Sequence, residues 1–214
     1  MPLVSPSIIS CKLETLREQI NQSEAGSADM FHLDVMDGHF VPNLTMGPDL
    51  VRAIRMSTKL PLEAHLMVER PDKYWRKFSE AGADIFLIHY ESPCNLQNTF
   101  KEIESSGKRY GIVINPDTDF SAVERYVPGA YIILIMSVYP GFSGQSFIEM
   151  SLENVRKARE FIDRNKLDTK IEVDGGINNI TGKKAVAAGA DILVSASYIY
   201  GGDIAERISI LKKL

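Results

Sequence analysis

Short apolar runs and amphipathic stretches alternate along the whole chain. Runs at residues 3–9, 30–34, Leu62–Met67, 85–90, 110–115, 131–138, Lys170–Asp174 and 191–196 are rich in Ile, Val and Leu. That is the composition of strands buried on both faces of a parallel sheet. Between them apolar positions recur at helical spacing, as Leu13, Leu16 and Ile20 do within residues 12–22. The same reading predicts helices over Pro48–Arg55, Pro71–Ala81, 95–106, 120–127, 152–165, Thr181–Ala188 and 203–214. The punctuation agrees: Pro48 and Pro71 open helices, and Gly82, Gly107 and Gly189 close them.

Eight strand-then-helix units in succession fit an open doubly wound sheet or a closed (β/α)8 TIM barrel. Eight units favour the barrel, so the expected fold is a single α/β domain over residues 1–214. Its loops should be short, because barrels of this kind typically need about 250 residues. Ala-Gly-Ala-Asp occurs twice, at residues 81–84 and 188–191, each time at a turn from helix to strand.

Composition narrows the partners. A net charge of −4, from 24 basic and 28 acidic residues, argues against a nucleic-acid partner, which would leave a basic patch. The longest apolar run, residues 130–136, is too short for a membrane span. The N-terminus has no charged region followed by an apolar one, so no signal peptide is expected. Cys11 and Cys94 make no disulfide framework. The plain expectation is a soluble cytoplasmic protein with no membrane partner.

The chemistry gathers where strands end. Alternate strand residues share a face, which aligns His32, Asp34 and Met36 on one strand and His65 and Met67 on the next. Strand four brings His89, strand six Met136, and strand seven Asp174 before Gly175-Gly176. In a barrel these C-terminal ends form one rim, the usual place for an active site. Two histidines and two aspartates would suit one divalent cation: zinc first, with Mn, Fe or Co acceptable. The alternatives are a structural metal or a buried hydrogen-bond network. Loops after strands six, seven and eight carry Gly141, Phe142, Ser143 and Gly144, then Gly175 and Gly176, then Ala196 and Ser197. They contain no Lys or Arg, so a phosphate there would rest on backbone N–H groups, the Ser197 hydroxyl and helix dipoles.

The segment His32-x-Asp34-x-Met36-Asp37-Gly38-His39-Phe40-Val41-Pro42-Asn43 is long and specific. With Ala64-His65-Leu66-Met67-Val68, Pro140-Gly141-Phe142-Ser143-Gly144-Gln145 and Val173-Asp174-Gly175-Gly176, it closely resembles the ribulose-phosphate 3-epimerase family over nearly the whole chain. The resemblance implies a (β/α)8 barrel that inverts C3 of a phosphorylated ketose. It implies a metal held by His32, Asp34, His65 and Asp174, with Asp34 and Asp174 as the acid/base pair. It implies that Ser7 and His65 meet the substrate, and that Met36, Met67 and Met136 pack around the ene-diolate. Family members form oligomers, and a homo-oligomer is expected here too.

Physical reasoning supports the two-aspartate scheme, because inversion needs a proton removed from one face and delivered to the other. The chain departs from the family pattern at Lys12, Tyr139, Ala196 and Tyr198, which bears on substrate length more than on reaction type. D-ribulose 5-phosphate is the leading substrate and D-allulose 6-phosphate the second. A decarboxylase using Asp-x-Lys-x-x-Asp is disfavoured, since 34–37 lacks the lysine. A non-catalytic sugar-phosphate sensor is disfavoured by the paired aspartates.

Overall fold

The computed structural model describes residues 1–214. Its strands are β1 (Leu3–Pro6), β2 (Phe31–Met36), β3 (Leu62–Met67), β4 (Ile85–His89), β5 (Arg109–Ile114), β6 (Ile132–Met136), β7 (Lys170–Asp174) and β8 (Ile192–Ser195). All pair in parallel in the ring order β1-β8-β7-β6-β5-β4-β3-β2. One parallel bridge, Ser7 to His32, joins the two ends. Pairing of the first strand with the last rules out the open doubly wound sheet, so the molecule is a nearly closed (β/α)8 barrel. The helices are α1 (Leu16–Ala25), α2 (Pro48–Arg55), α3 (Pro71–Ala81), α4 (Leu96–Ser105), α5 (Ser151–Asn165), α6 (Thr181–Ala188), α7 (Ser197–Tyr200) and α8 (Ile204–Lys212). No helix is long and apolar enough to cross a membrane, and both cysteines are free.

Some elements differ from expectation, each for a local reason. The first strand stops at Pro6 rather than residue 9, because the Ser7 hydroxyl accepts from the Ile9 N–H and turns residues Ile8–Ser10 into a 3-10 turn. The second strand runs to Met36 rather than 34, with Met36 still in register against Met67 of β3. The helix expected at 120–127 is instead two 3-10 turns, Phe120–Ala122 and Glu124–Tyr126. Asp119 caps the first, and Pro128-Gly129 leaves no room for a further turn. The β5–β6 crossover therefore has no α-helix. The single-turn α7 was not expected.

Two kinds of packing hold the fold. Outward residues such as Leu33, Val35, Leu66, Phe86, Ile133 and Val173 are buried under the helices in one continuous core, each worth about 1.5–3 kcal/mol of transfer free energy. The barrel interior is divided. On β4–β6 and β8 it is apolar, with Ile85, Leu87, Val113, Leu134 and Ile192, save for His89 at the end of β4. On β1, β2, β3 and β7 it is polar, with Ser5, His32, Asp34, Glu63, His65 and Glu172 all buried. An apolar half that needs no partners frames a polar half whose groups must find theirs in one another.

Candidate active site and metal centre

Register builds the site. In the β2–β3 ladder His32 lies opposite Glu63, Asp34 opposite His65 and Met36 opposite Met67. The side chains of His32, Asp34 and His65 therefore converge inside the barrel, and Asp174 meets them from β7. His32 Nε2 and His65 Nδ1 are 3.1 Å apart. Asp34 Oδ1 lies 3.4 Å from the former and 3.3 Å from the latter. Asp174 Oδ2 lies 3.6 Å and 3.9 Å from the same two nitrogens. One donor atom from each of the four residues falls within 4.8 Å of the others. A tetrahedral cation with bonds of about 2.0–2.2 Å would set its donors roughly 3.3–3.6 Å apart, so the donor set fits such an ion with only small adjustments.

The outward nitrogens are also occupied. His32 Nδ1 is 2.9 Å from Glu63 Oε1, which also accepts from Ser5 Oγ at 2.5 Å. Glu172 Oε1 stands 3.4 Å from the same ring nitrogen. His65 Nε2 meets His89 Nε2 at 2.8 Å, and His89 Nδ1 meets Glu91 Oε2 at 3.2 Å. Glu63, Glu172 and Glu91 were not singled out from the sequence. A signal was there for two of them: each sits two residues before a site residue on the same strand, and so on the same inward face.

The electrostatics separate two chemically identical groups. Burial alone would raise Asp34, but the charge and hydrogen bond of His32 outweigh it and hold its carboxyl far below the usual range. Burial, with the charges of Asp34 and Glu63 adding to it, pushes Asp174 up to about 7 against the pull of His32. Burial drives His65 down to about 3, so its ring is neutral. Burial opposes charge on His32 too, yet Asp34, Glu172 and Glu63 together raise it well above its ordinary value. Burial, and Glu63 beside it, raise Glu172 well up.

Above this cluster opens a cavity of about 520 Å³, its mouth included. Asp34, Asp174, Ser7, Met36, Met67 and Met136 line it. So do Gly141, Phe142, Ser143, Gly144, Gly175, Gly176, Ala196 and Ser197. His32 and His65 are fully buried beneath and do not reach its wall. Ile9, Val138 and Ile177, which were not anticipated, also line it. No Lys or Arg does. Ser7 Oγ donates to Asp34 Oδ2, leaving Oδ1 turned toward the two imidazoles.

The loops around the cavity are tied together. Asp37 accepts from His39 N, Phe40 N and Glu69 N. Asn43 Nδ2 donates to the Gly141 carbonyl at 2.8 Å, joining the loop after β2 to the loop after β6. Gly175 and Gly176 have φ of +121° and +62°, and a Cβ on either would lie 2.8 Å or less from neighbouring atoms. Only glycine turns here without strain. Ala196, by contrast, has a negative φ of −108°, outside the left-handed region that favours glycine.

Residues 3–200 match the model of the "Ribulose-phosphate 3 epimerase family". The chain is 45% identical over 215 residues to a ribulose-phosphate 3-epimerase of Aquifex aeolicus, covering 100% of this chain and 97% of that one. It is 44% identical over 199 residues to that of Bacillus subtilis, covering 92% of each. To the chloroplastic ribulose-5-phosphate-3-epimerase of Arabidopsis thaliana it is 43% identical over 213 residues, covering 98% and 76%. A crystal structure of a 3-hexulose-6-phosphate synthase superposes with a TM-score of 0.73 over 99% and 98% of the two chains, at 17% identity, a likeness of fold alone. On sequence and fold together, the chain belongs to the ribulose-phosphate 3-epimerase family.

Proposed function

We propose that this protein interconverts D-ribulose 5-phosphate and D-xylulose 5-phosphate by moving a proton at C3, with Asp34 and Asp174 as the acid/base pair. The observation that carries this reading is two carboxylates entering one cavity from β2 and β7, with β1 and β8 between them, in surroundings that push their pKa values apart. In the cation-free site His32 holds Asp34 far down while burial pushes Asp174 up to about 7, so Asp34 is the readier to accept a proton and Asp174 the readier to give one. In the reverse direction the roles exchange. A single base would return the proton to the face it left.

His32, Asp34, His65 and Asp174 would hold one divalent cation, with zinc best suited to two nitrogen and two oxygen donors and Mn, Fe or Co also compatible. When bound, such an ion polarises the substrate's oxygens and stabilises the negative charge of the ene-diolate. Ser7 orients Asp34 through its hydrogen bond. Met36, Met67 and Met136 present apolar thioethers to the planar ene-diolate and exclude water from it. The backbone N–H groups of the Gly175-Gly176 and Ala196-Ser197 turns, with the Ser197 hydroxyl, would receive the phosphate without a cationic side chain.

The test is proton NMR in D2O of zinc-replete protein with D-ribulose 5-phosphate, beside D-allulose 6-phosphate and a chelated control. Deuterium entering C3 as the 3-epimer forms, and stopping on chelation, is the expected result. Faster turnover of the hexulose would move the assignment to that substrate. Exchange with neither substrate would refute the reaction.

A further inference from the structure

His89 and Glu91 take no part in the proposed proton transfer, yet they form a chain of contacts leading away from it. Glu91 Oε1 is committed to two donors: the Asn115 N–H at 3.0 Å and the Thr118 hydroxyl at 2.5 Å. Its other oxygen, Oε2, faces His89 Nδ1 at 3.2 Å. The His65 and His89 rings lie in planes only 19° apart with centroids 5.0 Å apart. With the two Nε2 atoms at 2.8 Å, they meet nitrogen to nitrogen, end-on rather than face to face.

A carboxylate is an acceptor only, and a neutral imidazole has one donor and one acceptor. With both rings neutral, every hydrogen is then placed starting from Glu91. His89 Nδ1 must carry a hydrogen to donate to Glu91. His89 Nε2 is therefore bare and accepts from His65. His65 Nε2 carries the hydrogen, and His65 Nδ1 presents its lone pair to His32 Nε2 at 3.1 Å, where the four ligand atoms converge.

We propose that His89 and Glu91 are positioning residues: a hydrogen-bond relay that fixes the tautomer of His65 so that its Nδ1 is a ligand rather than a donor. The relay rests on the metal reading above for its use, but not for its hydrogen placement. It mirrors the role of Glu63 at His32 Nδ1, so both imidazoles are set from behind by a glutamate, one directly and one through a second ring. Partners of this kind commonly change metal affinity about 10–100-fold when removed.

Glu91→Gln reverses the relay without removing bulk. The Asn115 N–H is a fixed donor, so the amide oxygen of Gln must face it, which turns the NH2 toward His89 Nδ1. His89 must then carry its hydrogen on Nε2, and His65 must carry its own on Nδ1, aimed at the other ligands. His89→Gln is the companion variant, since an amide oxygen near the place of Nε2 still accepts from His65.

The experiment uses the full chain labelled with 15N-histidine. Long-range 1H–15N spectra assign the tautomers of His65 and His89, and competition with a chromophoric chelator gives the Kd for Zn2+. The expected result is Nε2–H on His65 and Nδ1–H on His89 in the unaltered protein. Glu91→Gln should invert both and weaken zinc about 10–100-fold. His89→Gln should keep His65 as Nε2–H and bind zinc within a few-fold of the unaltered protein. Glu91→Gln that leaves His65 as Nε2–H with zinc affinity intact would overturn the proposal. If the unaltered protein takes up no zinc, the metal reading fails by itself. The relay is then judged on the zinc-free spectra, where Nδ1–H on His65 would overturn it and Nε2–H would uphold it.

Discussion

Asp34 and Asp174 are the same functional group in two surroundings, and their difference makes a residue-level prediction. Asp174→Asn resembles the protonated form that burial already favours, so the metal-free protein should keep its Tm within about 3 °C, a shift worth roughly 1 kcal/mol at this size. Asp34→Asn removes the counter-charge that does most to raise His32 and should cost about 1–3 kcal/mol. Both should lower kcat by at least about 10²–10⁴-fold, the usual contribution of a general acid or base. Thermal melts of chelated protein and steady-state kinetics check the two halves. Near-normal turnover in either variant would sink the two-aspartate scheme. The four prospective ligands were legible in the sequence because strand alternation places them without knowledge of the fold. Glu63 and Glu172 obey the same alternation but read as ordinary strand residues until the β2–β3 register set Glu63 against His32. Glu91 lies beyond the end of β4 and has no periodic signal at all.

At the scale of elements, what the loops must do decides which residues they contain. Gly175→Ala would force a side chain onto φ +121°, with its Cβ 2.6 Å from Val138 Cγ2 and 2.8 Å from the Val138 nitrogen. About 3 kcal/mol of destabilisation is expected, since the backbone alone costs of order 1–3 kcal/mol, together with a raised KM as the phosphate end shifts. Melting and substrate titration measure both. Asn43→Ala removes the tie to Gly141. It should cost only about 0.5–1.5 kcal/mol while raising KM several-fold, because the loops it joins wall the cavity. A KM unchanged in Asn43→Ala would show the tie to be idle. Helices with proline openings and glycine closings, such as α3 (Pro71–Ala81), were readable to the residue. The 120–127 segment was not, because its apolar spacing suits a helix while Asp119 and Pro128-Gly129 confine it to two short turns.

At the scale of the whole molecule, the count of eight units favoured a barrel, but only the β1–β8 pairing together with the Ser7–His32 bridge closes one, and the β1–β8 contact joins the two ends of the chain. Closure gathers into one interior several groups that hold protons more tightly than they would unfolded. Asp174 rises from 3.8 to about 7, chiefly by burial. Glu172 rises by burial, and His32 rises against burial through its carboxylate neighbours. A group whose folded pKa is raised contributes stability that is complete below its unfolded value and is lost as pH rises through the folded one. Asp174 and Glu172 therefore lose their contributions as pH climbs from about 4, and His32 loses its own only above 6.5, whereas His65, driven down to about 3, works the other way until pH 6.5: the chelated protein should lose stability slowly up to about pH 6.5 and more steeply above it. Asp34 acts oppositely, its contribution fading only as pH falls below the ordinary carboxylate range. A bound cation takes the place of the protons on His32 Nε2 and Asp174, so its affinity must grow as those protons become easier to remove. The Tm of zinc-loaded protein minus that of chelated protein should widen between pH 5.5 and pH 8. It should reach about 5–10 °C where zinc is at 100 times its Kd, which corresponds to about 2.7 kcal/mol. Calorimetry in buffers of different ionisation enthalpy should show protons released on zinc uptake at pH 6, with fewer released at pH 8. A gap in Tm that stays flat across this range, with no protons released, would mean that the buried acids and imidazoles do not titrate as one linked set with the metal site.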